Sequence, residues 1–106
     1  MIRIVWATPA THDLTEVVDY LARDSPAAAA RFLPRVDQTV SRLGSLPRLG
    51  RVVPELERHH VLRYREVVLN PWRLIYRADP DRVYVLAVID GRRNVEDILL
   101  RRLLRT

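Results

Sequence analysis

Trp72-Arg73-Leu74-Ile75-Tyr76-Arg77 lies at the centre of the stretch, residues 50–93, whose reading decides how this chain folds. Side chains on a strand alternate faces, so Arg73, Ile75 and Arg77 share one face and Trp72, Leu74 and Tyr76 share the other. Upstream come Gly50-Arg51 and Arg63-Tyr64-Arg65-Glu66. Downstream come Val83-Tyr84-Val85-Leu86-Ala87-Val88-Ile89 and then Gly91-Arg92-Arg93. These segments read as strands near 61–69, 72–77 and 83–89, joined by turns at Asn70-Pro71 and Ala78-Asp79-Pro80-Asp81. The last run is apolar on both faces and is expected to be the most buried. A sheet face that carries arginine, backed by an aromatic core face, suits an anion or an acidic partner.

Working outward, residues 2–6 alternate well enough for an opening strand. Thr8-Pro9 reads as an N-cap followed by proline in the first turn. Leu14, Val17, Val18 and Leu21 then fall on one helical stripe. Asp24-Ser25-Pro26 ends that helix and caps the next, where Ala29, Phe32, Val36, Val40 and Leu43 keep the period. Gly44 stands where a left-handed C-terminal cap belongs. Pro34 inside the second helix removes a hydrogen bond and crowds the preceding turn, but the period continues past it, so a kink and not a break is expected. Residues 45–60 read as a long irregular connection. Residues 94–105 read as a final helix, with Asn94 and Asp97 as a capping pair and Arg101, Arg102 and Arg105 near its negative end. Its apolar set, Val95, Ile98, Leu99, Leu100, Leu103 and Leu104, is wider than one stripe. The fold expected is α+β: a small antiparallel sheet in β-α-α-β-β-β-α order, with an N-terminal helical hairpin packed on it and a short C-terminal helix.

At 106 residues, with 48% apolar and 29% charged side chains, the chain can build one core, and 1–106 reads as a single domain. It has no run long enough to cross a bilayer, no export signal and no cysteine, so a cytoplasmic protein without a membrane role is expected. All 18 basic residues are arginine, and the net charge is +5. Residues 1–47 hold five arginines and five acids, while 48–106 hold thirteen arginines against eight acids. The excess positive charge therefore lies entirely in the second half, a field that attracts nucleic acid, an acidic protein or both.

The order of elements, together with Asp13-Leu14, Gly50-Arg51, Tyr64-Arg65-Glu66, Arg73-Leu74-Ile75-Tyr76-Arg77 and Gly91-Arg92-Arg93, resembles the RelE/ParE superfamily of bacterial toxins. The resemblance implies a toxin neutralised by a cognate antitoxin that is acidic and folds as it binds. The pair could assemble further into a higher-order heteromer. Two activities occur in the superfamily, and a member that has lost toxicity and survives only as a binding partner of its antitoxin is a third alternative. RelE-like members cleave mRNA on the ribosome without a metal, and that reading would rest here on Arg73, Arg93 and Arg65. The acid/base position in the terminal helix falls on Leu99, which moves no proton, and arginine is a poor base. Glu66, Tyr64, Tyr76 and the histidines are the other proton carriers, none at a matching position. ParE-like members inhibit DNA gyrase by binding, and the Gly91-Arg92-Arg93 turn and leucine-rich ending look like that branch. Asp90 departs from it, standing where the family often has histidine.

The ParE-like reading implies target contacts at Arg73, Arg77, Arg92 and Arg93. It implies antitoxin contacts at Leu14, Val18, Leu21, Arg65, Leu99 and Leu103. No catalytic residue, metal or cofactor is implied. Plainer readings stand beside these. Arg65 with Glu66 and Arg77 with Asp79 can be surface ion pairs, His59-His60 a loop pair that cannot chelate together in extended chain, and His12 a helix-surface residue. Trp6 and Trp72 read as core.

Overall fold

Alternation and helical period translate into nine elements in the computed structural model, which describes residues 2–104. They are β1 (Arg3–Trp6), α1 (Thr8–Asp24), α2 (Pro26–Ser45), β2 (Arg51–Val52), α3 (Pro54–Glu57), β3 (Tyr64–Leu69), β4 (Trp72–Ala78), β5 (Arg82–Asp90) and α4 (Val95–Leu103). The α+β class and the expected order stand, with β2 and α3 added inside what read as an irregular connection. The five strands form one sheet in the order β1-β5-β4-β3-β2. β2 through β5 pair antiparallel, but β1 joins β5 parallel, so the sheet is mixed and not wholly antiparallel.

The helical hairpin covers one face of this sheet. Val17 of α1 and Phe32, Val36 and Leu43 of α2 pack on Trp72, Leu74 and Tyr76 of β4. The opposite face is closed by the two shorter helices, with Leu56 of α3 and Val95, Ile98 and Leu99 of α4 on Tyr64, Ile75 and Ile89. The β4 pattern is therefore read correctly: Trp72, Leu74 and Tyr76 face one core and Ile75 the other. In β5 the register slips, because Ile75 opposes Ala87 while Tyr76 opposes Val85, which leaves Leu86 as an extra residue. That bulge sends Val83, Val85 and Val88 to the hairpin side and Ala87 and Ile89 to the other. Without the bulge Val83, Val85, Ala87 and Ile89 would all share one face.

Local signals hold at some ends and shift at others. Ser25 caps α2, its hydroxyl accepting from the Ala28 amide at 3.2 Å, and Asn94 caps α4 by accepting from the Asp97 amide at 3.1 Å. Thr8 is not the cap of α1; Ala7 takes that place without a side-chain bond. Gly44 is not a left-handed cap either, since α2 continues to Ser45 and no glycine has positive φ among the described residues. The helix also runs unbroken through Pro34, which sits on its exposed side. Arg105 lies outside the described residues.

Candidate functional site

Arg73 is the residue on which the sequence reading placed most weight, and the fold encloses it. Its Nε donates to Glu66 Oε1 at 2.6 Å, while Nη1 and Nη2 donate to the two oxygens of Glu55 at 2.7 and 2.6 Å. The second Glu66 oxygen is taken by Arg51, whose Nε lies 2.7 Å away. The Glu66 side chain is fully buried and that of Arg73 is only 10% exposed. Hydrogen bonds from Arg73 hold the Glu55 carboxyl below its usual range, and Glu55 in turn raises the already high pKa of Arg73. Arg73 was expected to meet a target; instead each of its three nitrogens donates to a carboxylate inside the protein. Short α3 supplies Glu55, and that helix is too brief to leave a periodic signature. The adjacent pair Arg65 and Glu66 forms no ion pair, since neighbours on a strand point to opposite faces.

On the hairpin side of β3, Arg65 donates from Nη1 to the Gly50 carbonyl at 2.8 Å. Gly50 also donates its amide to the Tyr76 hydroxyl at 2.9 Å, and that hydroxyl donates to the Pro47 carbonyl at 2.7 Å. A Cβ on Gly50 would fall 2.3 Å from the Glu66 carbonyl oxygen, so close approach of backbones, not φ, requires glycine here. Burial pushes the Tyr76 hydroxyl pKa up, against the opposing pull of the Gly50 amide and Arg65. Its hydroxyl is thus committed both as donor and as acceptor, a poor starting point for proton transfer. Tyr64 is buried in the second core, and Leu99 is fully buried there.

The turn after β5 is built differently. Gly91 donates to the Pro71 carbonyl at 2.8 Å, and its missing Cβ leaves room for the Arg73 stem, which a methyl group would approach to 3.1 Å. Asp90 folds the turn around itself: Oδ1 accepts from the Arg92 amide and from Arg92 Nε, each at 2.9 Å, and Oδ2 accepts from Nη2 at 2.7 Å. Those bonds from Arg92 pull the Asp90 pKa down to about 2. Arg92 is two-thirds exposed but paired with Asp90. Arg93 has no ion pair among the described residues and lines a cleft of about 250 Å³ with Glu16, Tyr20, Trp72 and Arg102. Tyr20 stands edge-on to Trp72 at 6.1 Å between centroids and is nearly half exposed. Nothing in the sequence marked Tyr20, because its neighbour on the sheet is some fifty residues away.

Asp13, singled out only as part of a motif, has a structural duty. Its Oδ2 accepts from the Val88 amide at 3.0 Å and from Arg102 Nη1 at 2.9 Å, while Arg102 Nη2 donates to the Leu86 carbonyl at 3.1 Å. β1 ends opposite Val85, so these two side chains satisfy the edge of β5 where strand pairing stops.

The other expected contacts are rearranged. Arg77 pairs with Asp79 at 3.1 Å and lies over the Tyr84 ring at 4.8 Å. Leu14, Val18 and Leu21 are half-buried against the hairpin-side core, while Leu99 is fully buried in the second core and closed to a partner. Leu103 is half-buried against the second core. His59 and His60 sit in a turn, not in extended chain; His59 bonds Glu96 at 2.7 Å, holding the Glu96 carboxyl below its usual range, and His60 adopts φ 62°. His12 is exposed; Trp72 is core and Trp6 packs against it. No helix among the described residues is long and apolar enough to cross a membrane. Among the described residues the arrangement offers charged and apolar surface for binding, with the strand arginine held between two carboxylates.

Comparison with known proteins agrees with this architecture. A solved structure of the chromosomal ParDE TA system from P. aeruginosa superimposes with a TM-score of 0.67 at 20% identity, covering 85% of this chain and 96% of that one, which establishes likeness of fold. Toxin ParE3 of Caulobacter vibrioides is 30% identical over 94 residues, 88% of this chain and 90% of that protein. Toxin RelE2 of the same organism is 33% identical over 88 residues, 83% and 93% of the two chains. Putative toxin Y4kP of Sinorhizobium fredii is 31% identical over 99 residues, 92% and 96%. The family model for the ParE toxin of type II toxin–antitoxin system, parDE, matches residues 4–95. With most of its length matched by that model, the chain belongs to the ParE toxin family of type II toxin–antitoxin systems.

Proposed function

We propose that this chain, acting as one domain in the cytoplasm, is a toxin that inhibits DNA gyrase by binding it and is held inactive by a cognate antitoxin. The observation that carries the binding mode is the enclosure of Arg73 by Glu55 and Glu66. Cleaving RNA through its 2′-hydroxyl calls for a proton acceptor, a proton donor and a cation free to meet the phosphate. The strand cation is neutralised here, and the acid/base position is a buried leucine, Leu99. Arg92, Arg93 and Tyr20, grouped at the turn after β5, remain to contact the target, with Arg77 at the far end of β4.

The likeness to a protein named Toxin RelE2 favours a second reading, a ribosome-dependent mRNA endonuclease using Arg93 and Arg65. A supercoiling assay decides between them. Purified chain titrated into gyrase and relaxed plasmid should block supercoiling, and added antitoxin should restore it. No inhibition at large molar excess of folded protein, together with cutting of ribosome-bound mRNA, would replace the first reading with the second.

A further inference from the structure

Large apolar side chains left in solvent are unevenly distributed. Of the six exposed ones among the described residues, Leu46, Leu49 and Leu62, at 53%, 37% and 58%, lie at one end of the sheet, where β4 finishes and β3 starts. Two hollows adjoin there, sharing Arg48, Ala78 and Asp79 as a common wall. The larger, about 680 Å³, is lined by Ile2, Leu46, Pro47, Leu49 and Pro80, with Ser45 beside the shared Arg48 and Asp79, and its surface is mainly aliphatic. The smaller, about 220 Å³, is ringed by Arg48, Arg63, Arg65 and Arg77 around Leu62, with Asp79 as its lone carboxylate. Arg48 and Arg63 have no ion pair among the described residues. The Gly91 turn lies at the opposite end of β4, since Trp72 pairs with Asp90 while Ala78 pairs with Val83.

We infer that this end of the sheet is the docking site for an acidic, amphipathic segment of a partner protein, whose apolar side chains fill the aliphatic groove while its carboxylates lie over the arginine hollow. The inference rests on the antitoxin reading and gives that partner a place. Charge complementarity sets the sign: four arginines surround one carboxylate. Chemistry within the groove sets the class. Its walls are aliphatic, with no aromatic face on which a base could stack, whereas aliphatic hollows beside a polar rim are what apolar anchors of a peptide fill. Orientation follows from α2, which ends with Leu46 as its C-cap at the groove. That carbonyl end carries partial negative charge, so carboxylates are steered away from the groove and toward Arg48, Arg63 and Arg65. The hairpin stripe of Leu14, Val18 and Leu21 offers less free apolar surface, being half-buried against the hairpin-side core.

Isothermal titration calorimetry with the full chain tests this, using as probe the purified product of the neighbouring antitoxin gene. The variants are Leu46→Glu/Leu49→Glu, Arg48→Glu/Arg63→Glu and, as a control with the same charge change as the leucine pair at the other end of the hairpin, Arg23→Glu. All four positions in the test pairs are partly or fully exposed, and circular dichroism confirms that each variant is folded. The groove variant should bind about 100-fold more weakly and the arginine variant about 10-fold or more, with the control unchanged. Wild-type affinity in both test variants would overturn the docking site while leaving the antitoxin reading intact. Failure of the wild-type chain to bind would overturn the antitoxin reading and the inference with it. If the arginine variant loses a short DNA duplex while the groove variant keeps the antitoxin, the surface is a nucleic-acid face and the inference is wrong.

Discussion

Replacing Arg73 with alanine separates a structural role from a functional one. Deleting the guanidinium leaves Glu66, fully buried, with Arg51 alone, whose side chain is 61% exposed. It also strips both oxygens of Glu55, which is one-fifth exposed and so partly reached by water. Breaking a buried pair by removing one partner costs about 3–5 kcal/mol. The surviving Arg51 bond and the hydration of Glu55 put this case at the lower end, about 3 kcal/mol. A domain of this length has an unfolding entropy near 0.2 kcal/mol per kelvin, so the midpoint should fall by roughly 13 °C. Urea titration should show the loss in midpoint with an unchanged m-value. Below its melting point the Arg73→Ala chain should still inhibit gyrase, because the guanidinium faces inward. Replacing Arg73, Glu55 and Glu66 together with apolar residues should cost less than Arg73→Ala, because no unpaired carboxylate remains. A stability loss under about 1 kcal/mol combined with abolished inhibition would refute the reasoning and return Arg73 to the target surface.

Three further outcomes are expected. Asp13→Ala removes the acceptor of the Val88 amide and the anchor of Arg102, so a loss of about 2 kcal/mol should appear in denaturant, with faster amide exchange confined to residues 86–88. Gly50→Ala drives a methyl group into the Glu66 carbonyl; a cost of about 3 kcal/mol is expected by thermal melting, and a neutral result would show that the connection before β2 can move aside. The Asp90 carboxyl is depressed from 3.8 to about 2 in the folded chain. Its contribution to the turn is therefore complete above its ordinary value of 3.8 and fades as pH drops toward about 2. The Arg92 amide resonance, followed by NMR, should titrate near that lower value and should stop doing so in Asp90→Asn, whereas a midpoint at the ordinary value would mean that the Asp90–Arg92 pair is not formed in solution.

Much of the fold was legible in residue order alone, because strand alternation and helical period are local. Trp72, Leu74 and Tyr76 against Ile75 separates the two cores without any knowledge of what fills them. Ser25 and Asn94 announce the starts of α2 and α4 because a cap bonds an amide three residues on, as each does here. The arginine excess after residue 47 and the ordered motifs that pointed to the family are likewise written in the sequence.

What the sequence could not determine depends on groups distant along the chain. Whether Arg73 meets a target or a carboxylate turns on Glu55, eighteen residues earlier, in a four-residue helix too short to show a period. The parallel seat of β1 beside β5 joins opposite ends of the chain, and no local turn dictates its direction. The inward turn of Leu14, Val18 and Leu21 needed a sheet to turn toward, and the Leu86 bulge, which puts Val85 and Ala87 on opposite faces of β5, exists only in the pairing with β4. Periodicity says that a residue has a face; only the closing of the chain on itself says what that face meets.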